Sequence, residues 1–283
     1  MAGREFQIVV IRPKGFIYAE SWREAIDATR FGLAELGINA VLVQNGVQPG
    51  PTPIIFGAHH LDPGMEDLLP ADTIIYNLEQ LLPGYPCHVP RYLDLLRRFR
   101  VWDFHARNVE WLHREGVSHS ATHVPVGYMP QLSNIASAGE DVDVLFYGLL
   151  TERRQAVIKA LVARGLNVMA LRGVFGVERD KWIARAKVVL NMHQQADGYF
   201  EALRVMHLMA NGKAVVSECN DETEIDARLL PGIRAVTYDQ LVDACEALVG
   251  DVDARRSLAA KALHAVKNPK FRMSFIMRQQ LLG

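Results

Sequence analysis

Val142-Asp-Val-Leu-Phe-Tyr-Gly148 decides how this chain is read. A run of β-branched and aromatic residues halted by a glycine predicts a buried strand whose end lets a ligand come close to the backbone. Residues 151–164 follow at helical spacing, with Glu152, Arg153 and Arg154 in the first turn, and residues 167–171 again read as a strand. Parallel strands need a crossover, and a helix of this length supplies one, so the stretch is a strand, helix, strand unit. The pattern continues outward. Residues 179–185 read as a helix, 188–192 as a strand, 199–210 as a helix stopped at Asn211-Gly212, and 214–217 as a strand.

The first half shows the same alternation. Strands are expected at 6–11, 40–43, 54–56, 73–76, 101–104 and 123–126, and helices at 21–36, 91–99 and 108–115. The small, polar stretch 132–140 reads as a linker. After 217 the pattern changes, and 240–249, 252–266 and 271–282 are three consecutive helices. We therefore expect an α/β protein of two Rossmann-like domains, residues 1–132 and 141–268. A helical tail, residues 269–283, is expected to pack back on the first domain.

Bulk properties narrow the chemistry. With 283 residues and 49% hydrophobic content the chain can fill a core in each half. Lys+Arg 31 against Asp+Glu 32 gives a net charge of -1, which disfavours a nucleic-acid partner; Arg91, Arg97, Arg98 and Arg100 form the one local basic strip. Cys87, Cys219 and Cys245 form no CxxC pair and suit a reducing cytoplasm. The opening Met1-Ala-Gly-Arg-Glu-Phe6 lacks the regions of a signal peptide, and no apolar run approaches the ~20 residues that span a bilayer, so a cytoplasmic protein is expected. GxGxxG after the first strand, the P-loop pattern, the GxSxG elbow and HExxH are all missing, and no metal is expected.

Ligands of open parallel sheets bind at the carboxyl ends of the strands. There Gly148 would admit a phosphate or sugar, Arg153 and Arg154 could bond it, and the following helix N-terminus would favour an anion; a tight turn and a solvated basic pair is the alternative. Arg172 and His193 follow later strands. Glu201 and Arg204, three apart at the start of the 199–210 helix, could serve ribose hydroxyls and phosphate respectively, or could pair with each other. In the first half His59, Glu79 and Asp103 follow strands. Each is a candidate base, against the commoner use of these residue types as caps and core hydrogen-bonding groups.

Together Asp143-Val-Leu-Phe-Tyr-Gly148, Glu152-Arg-Arg154, Glu178-Arg-Asp-Lys181, Ala186-Lys-Val-Val-Leu-Asn-Met-His193, Phe200-Glu-Ala-Leu-Arg204 and Met209-Ala-Asn-Gly-Lys-Ala-Val-Val-Ser-Glu218 resemble the C-terminal domain of bacterial group 1-like GT-B glycosyltransferases. Tyr76-Asn-Leu-Glu-Gln80, Val101-Trp-Asp-Phe104 and Val124-Pro-Val-Gly-Tyr128 add weaker likeness in the first half. The resemblance implies two Rossmann-like domains facing across a cleft and a metal-independent transfer from a nucleotide-diphosphate sugar. That donor is a substrate, with no cofactor beside it; a saccharide, protein or small molecule would be the acceptor. Gly148, Arg153, Arg154, Arg172, His193, Glu201 and Arg204 would bind the donor, and His59, Glu79 or Asp103 would deprotonate the acceptor if configuration is inverted. Many retaining members carry two glutamates eight positions apart, where this chain has Tyr199 and His207. Two rivals remain: a non-catalytic nucleotide-binding module, and transfer to modified DNA.

Overall fold

The computed structural model describes residues 5–220 and 223–282. The chain divides into two compact units, one running to Gly127 and resuming at Arg272, the other Tyr128–Phe271. Met1–Arg4 and Gly283, which belong to the expected first domain and tail, lie outside the described residues.

In the first unit β1 (Phe6–Val10), α1 (Arg23–Glu35), β2 (Ala40–Gln44), β3 (Thr52–Phe56), β4 (Ile74–Asn77), α2 (Pro90–Arg98), β5 (Arg100–Asp103), α3 (Ala106–Arg114) and β6 (Thr122–His123) follow one another. The sheet has the order β2-β1-β3-β4-β5-β6 and every pairing is parallel. Ile8, Val9, Ile54, Ile55, Ile74, Ile75 and Val101 are fully buried, as strands covered on both faces require. The expected helix at 21–36 is split: a 3-10 turn, Ile17–Trp22, precedes α1. Trp22 belongs to that turn and lies over Gly57, whose φ is +73° and where a Cβ would stand 2.5 Å from the indole.

In the second unit β7 (Val142–Tyr147), α4 (Glu152–Ala163), β8 (Val168–Leu171), α5 (Gly176–Arg185), β9 (Ala186–Asn191), α6 (Ala202–Ala210), β10 (Ala214–Glu218), β11 (Arg234–Val236), α7 (Leu241–Gly250) and α8 (Val252–Val266) build a sheet of order β11-β10-β9-β7-β8. The chain leaves β7 toward one side and returns on the other, so the strand order switches between β7 and β9. Crevices of open α/β sheets form at such points. The segment 132–140 is no free linker. Asn211, at the end of α6, donates to the Leu132 carbonyl at 2.9 Å and accepts from the Ile135 amide at 2.9 Å, and Lys213 reaches Glu140 at 3.4 Å.

The last helix, α9 (Met273–Leu282), belongs to the first unit and packs on α1. Gly32 permits the approach: a Cβ there would stand 3.0 Å from Met273 Cγ and 3.1 Å from its backbone carbonyl carbon. Arg272 closes the junction by pairing with Glu35 at 2.8 Å. Gly32→Leu should therefore cost about 1–3 kcal/mol by overpacking. Proteolysis should then cut first near α9, and an unchanged melting temperature and cleavage pattern would refute this packing.

Candidate functional site

At the switch point the ends of β7, β9 and β10 bring together Gly148, Asn191 to His193, and Ser217 to Glu218. Gly148 has φ +145°, and a Cβ there would stand 3.2 Å from Arg204 Nη2 and 3.6 Å from Arg154 Nη1. Phe146 and Tyr147, the last residues of β7, offer ring faces to these cations. Arg154 lies 5.3 Å from the Phe146 centroid, and Arg204 lies 5.8 Å from Phe146 and 5.0 Å from Tyr147. Since consecutive strand residues point to opposite faces, a guanidinium touching both rings sits over the tip of the strand itself.

Arg154 is 4% exposed. It donates to the carbonyls of Leu149 at 3.1 Å and Met192 at 2.5 Å, and to Glu201 at 3.3 Å. Burial, with Arg204 alongside, brings its guanidinium down to about 10. Arg153 is fixed differently. Both its terminal nitrogens bond Glu218, one of them at 2.7 Å, and it lies 3.8 Å from the Tyr238 ring centroid. Its charge is thereby largely neutralised.

The sequence reading of Glu201 needs correction. Tyr199 and Phe200 are buried in the core and α6 begins only at Ala202, so Glu201 sits at the N-cap with ψ 63°. Its carboxylate turns away from the helix and accepts from Asn191 at 2.9 Å, His193 Nδ1 at 3.1 Å and Arg154 at 3.3 Å. The weighed Glu201–Arg204 pair gives way to this arrangement, and Arg204 instead donates to Asn191 Oδ1 at 2.8 Å. Burial would raise the Glu201 carboxyl, but His193, Arg204 and Arg154 hold it below its ordinary value. Burial likewise pushes the His193 imidazole down, and the bond and charge of Glu201 overturn this to leave it raised. The His193 amide donates to Glu218 at 2.9 Å, and its carbonyl accepts from Arg153 at 3.2 Å.

Three guanidiniums, two carboxylates and a histidine that favours protonation leave this edge positive. Nε of Arg154, Nε of Arg204 and Nδ1 of His207, one turn beyond Arg204, are buried without a hydrogen-bond partner among the described residues. Arg172 stands apart. It is exposed and lines a shallow groove with Leu150, Gln155, Ile158, Lys159 and Ala170, outside the cluster. Asn191, Ser217, Glu218 and Tyr238 were not singled out from the sequence, although a polar or acidic residue closing a fully buried strand marks Asn191 and Glu218. Among the described residues no group of three or more His, Cys, Asp or Glu side chains is placed to share a metal ion.

The first-unit candidates lie in different surroundings. Asp103 is completely buried and accepts from Asn77 at 2.7 Å, the His105 amide at 2.9 Å and Asn108 at 3.0 Å. These bonds make it a clasp that joins β4, β5 and α3, the core role that stood beside the candidate base. His59 is packed against Trp22, Tyr92 and His60, and burial pushes its imidazole down to about 3. Glu79 is half-buried, and burial raises it to about 7 against bonds from Trp22 and Cys87. The basic strip does not survive as a patch, because Arg91 pairs with Glu66, Arg97 with Asp94 and Arg98 with Asp67, and Arg100 donates to the Gln280 carbonyl.

Residues 153–278 match the family model described as glycosyl transferase-like. That stretch runs from the first turn of α4 into α9. Among solved structures, Anabaena HepE in complex with UDP and glucose is similar at TM-score 0.64 and 11% identity, over 98% of this chain and 99% of that one. A glycosyltransferase from Rickettsia africae is similar at 0.59 and 10%, over 99% and 98%. WaaG, a glycosyltransferase of lipopolysaccharide biosynthesis, is similar at 0.59 and 11%, over 97% and 99%. At such identities the likeness is one of fold, and the fold is that of the GT-B glycosyltransferases. Two uncharacterized proteins of Acanthamoeba polyphaga mimivirus, L138 and L137, are 28% and 24% identical over 47% and 61% of the chain. The matched region amounts to only 15% and 24% of their lengths. No described helix is long and apolar enough to cross a membrane.

Glu79 and Asp103, each near 7, hold protons in the native state that the unfolded chain, with carboxyls near 4, has released. The stability they contribute is full below about pH 4 and is lost as pH rises through 7. Glu79→Gln should make the unfolding midpoint in urea less dependent on pH between 5 and 8 than in the wild type. Identical slopes would show that Glu79 does not titrate there.

Proposed function

We propose that the chain is a glycosyltransferase that takes its sugar from a nucleoside-diphosphate donor and holds the diphosphate at the tip of β7. The observation that carries this reading is the pair of buried Nε donors on Arg154 and Arg204, without a hydrogen-bond partner among the described residues, beside Gly148, whose missing side chain leaves its backbone approachable. Buried donors of this kind are met by an acceptor-only ligand, and a diphosphate offers many acceptor oxygens and negative charge for two guanidiniums that have the single carboxylate of Glu201 beside them. HepE, a structural neighbour, is in complex with UDP and glucose, which supports the same ligand class here.

Departure of the nucleoside diphosphate builds negative charge on the bridging oxygen. Arg204 and Arg154, stacked on Phe146 and Tyr147 before the ligand arrives, would stabilise that charge without reorganisation, so the transfer needs no metal ion. Glu201, held ionised by its three partners, fixes Arg154 and His193 and thereby the shape of the pocket. Arg153, already taken by Glu218, stiffens the His193 main chain and leaves the diphosphate to Arg154 and Arg204. For the acceptor hydroxyl, Glu79 is the base candidate of the first unit, because its value near 7 suits proton transfer at neutral pH and His59 near 3 binds a proton too weakly.

The test is a thermal-shift series with UDP, GDP, ADP and dTDP, followed by release of nucleoside diphosphate from the matching sugar donors. At least one diphosphate should raise the melting temperature. Arg204→Ala should weaken that binding by about 10–100-fold, the loss of charged hydrogen bonds, and Glu201→Ala should weaken it less. A shift without any turnover would favour a binding module. No shift with any of the four would sink the assignment.

A further inference from the structure

The first sheet ends on β2, and this edge has little of the protection that edge strands carry. Residues 36–61 contain no Asp, Glu, Lys or Arg, and within β2 Val41 is 44% and Leu42 55% exposed. Charges, prolines or a bulge in the strand are the usual means of keeping such an edge from pairing. The Asn45 amide donates to Val10 on β1, and amides along a strand alternate sides, so those of residues 41 and 43 face β1 as well. Those of Ala40, Leu42 and Gln44 therefore point outward from the sheet.

Beside this edge a groove of about 330 Å³ separates β2 from the start of α1. Val10, Ala19, Ile26, Leu42 and Val43 give it an apolar floor, and its wall alternates in charge as Arg12, Glu20, Arg23, Asp27 and Arg30. Arg12 and Glu20 are in contact at 2.5 Å. The others are loose: Arg23 stands 3.9 Å from Glu20 and 3.8 Å from Asp27, and Arg30 stands 3.7 Å from Asp27. Among the lining residues three guanidiniums thus share two carboxylates, the Glu24 carboxyl that acts on Asp27 being buried, and Arg23 and Arg30 stay exposed.

We propose that β2 and this groove are a docking site for an extended, acidic peptide strand of a partner protein, which pairs with the outward backbone groups of β2. Alternate side chains of such a strand face the groove, where apolar ones cover Leu42 and carboxylates take Arg23 and Arg30. A second copy of this chain fits less well, since its own edge strand, Ala40-Val-Leu-Val-Gln44, brings no carboxylate to the arginines.

Leu42→Pro is the decisive variant. It removes an amide that faces outward and so spares the bonds to β1, as proline on an edge strand does. The probe is a fluorescein-labelled acetyl-(Val-Thr-Glu-Thr)2-amide, whose groove-facing positions carry both valine and glutamate, followed by anisotropy, with the (Val-Thr-Lys-Thr)2 counterpart as control and sedimentation of the protein alone in parallel. The acidic peptide should bind in a salt-dependent way and the lysine peptide should not. Affinity should fall at least about tenfold in Leu42→Pro, and again in Arg23→Glu combined with Arg30→Glu, with melting temperatures close to the wild type. If Leu42→Pro proves unfolded, the arginine pair alone decides. Failure of the wild type to bind up to millimolar peptide, or binding indifferent to both variants, overturns the proposal. So does a dimer without peptide binding, which would assign the edge to a second copy.

Discussion

A guanidinium buried at the end of a parallel sheet is the constraint on which the second unit depends. Removing Arg154 from water is costly, and the cost is offset only if its donors are met. Two are met by the carbonyls of Leu149 and Met192, which lie just beyond β7 and β9, and another by Glu201 ahead of α6. One side chain thus joins the ends of two adjacent strands to the entry of a helix. Glu201 in turn fixes His193 and Asn191, and Asn191 orients Arg204. The site is a consequence of solving the solvation of that buried charge.

Aromatic residues complete the arrangement. Phe146 and Tyr147 fill the two cores on either side of the sheet and turn ring faces toward the cations at the tip. A cation over a ring face is attracted without consuming its hydrogen-bonding capacity. Arg204 therefore stays positioned while most of its donors remain uncommitted, whereas Arg153, bound by Glu218, is spent within the protein. Adjacent arginines of one helical turn acquire different roles because one points inward along the sheet and the other toward β10.

What the sequence makes legible follows from periodicity. Val142 to Gly148 and Ala186 to Asn191 are apolar runs with sharp ends, and such runs read as strands wherever both faces are covered, so the two-sheet architecture and the strand ends emerge directly. Helix starts are less legible. Tyr199 to Arg204 has helical spacing, yet Tyr199 and Phe200 are buried in the core, a tight turn at Glu201 closed by the Ala202 amide on the Phe200 carbonyl delays the helix to Ala202, and the Glu201 carboxylate meets His193. Arg172 shows the opposite error, for it follows a strand as its neighbours do, but β8 is an edge strand separated from the switch point by β7. Position after a strand marks a candidate; only strand order decides which candidates meet.

Strand order also explains why the two units differ. Sheet 1 has its own switch point, between β1 and β3, but there Trp22 lies over Gly57, and His59 and His60 pack around the indole. A glycine at a strand end thus serves opposite purposes in the two halves: Gly57 admits the protein's own indole, and Gly148 admits two guanidiniums whose Nε atoms have no hydrogen-bond partner among the described residues. At the first switch point the buried atom without a partner among the described residues is His60 Nε2, on an imidazole whose charging burial disfavours, whereas at Gly148 such atoms belong to guanidiniums. By this difference in chemistry, rather than by any difference in topology, buried positive charge gathers at the switch point of the second unit.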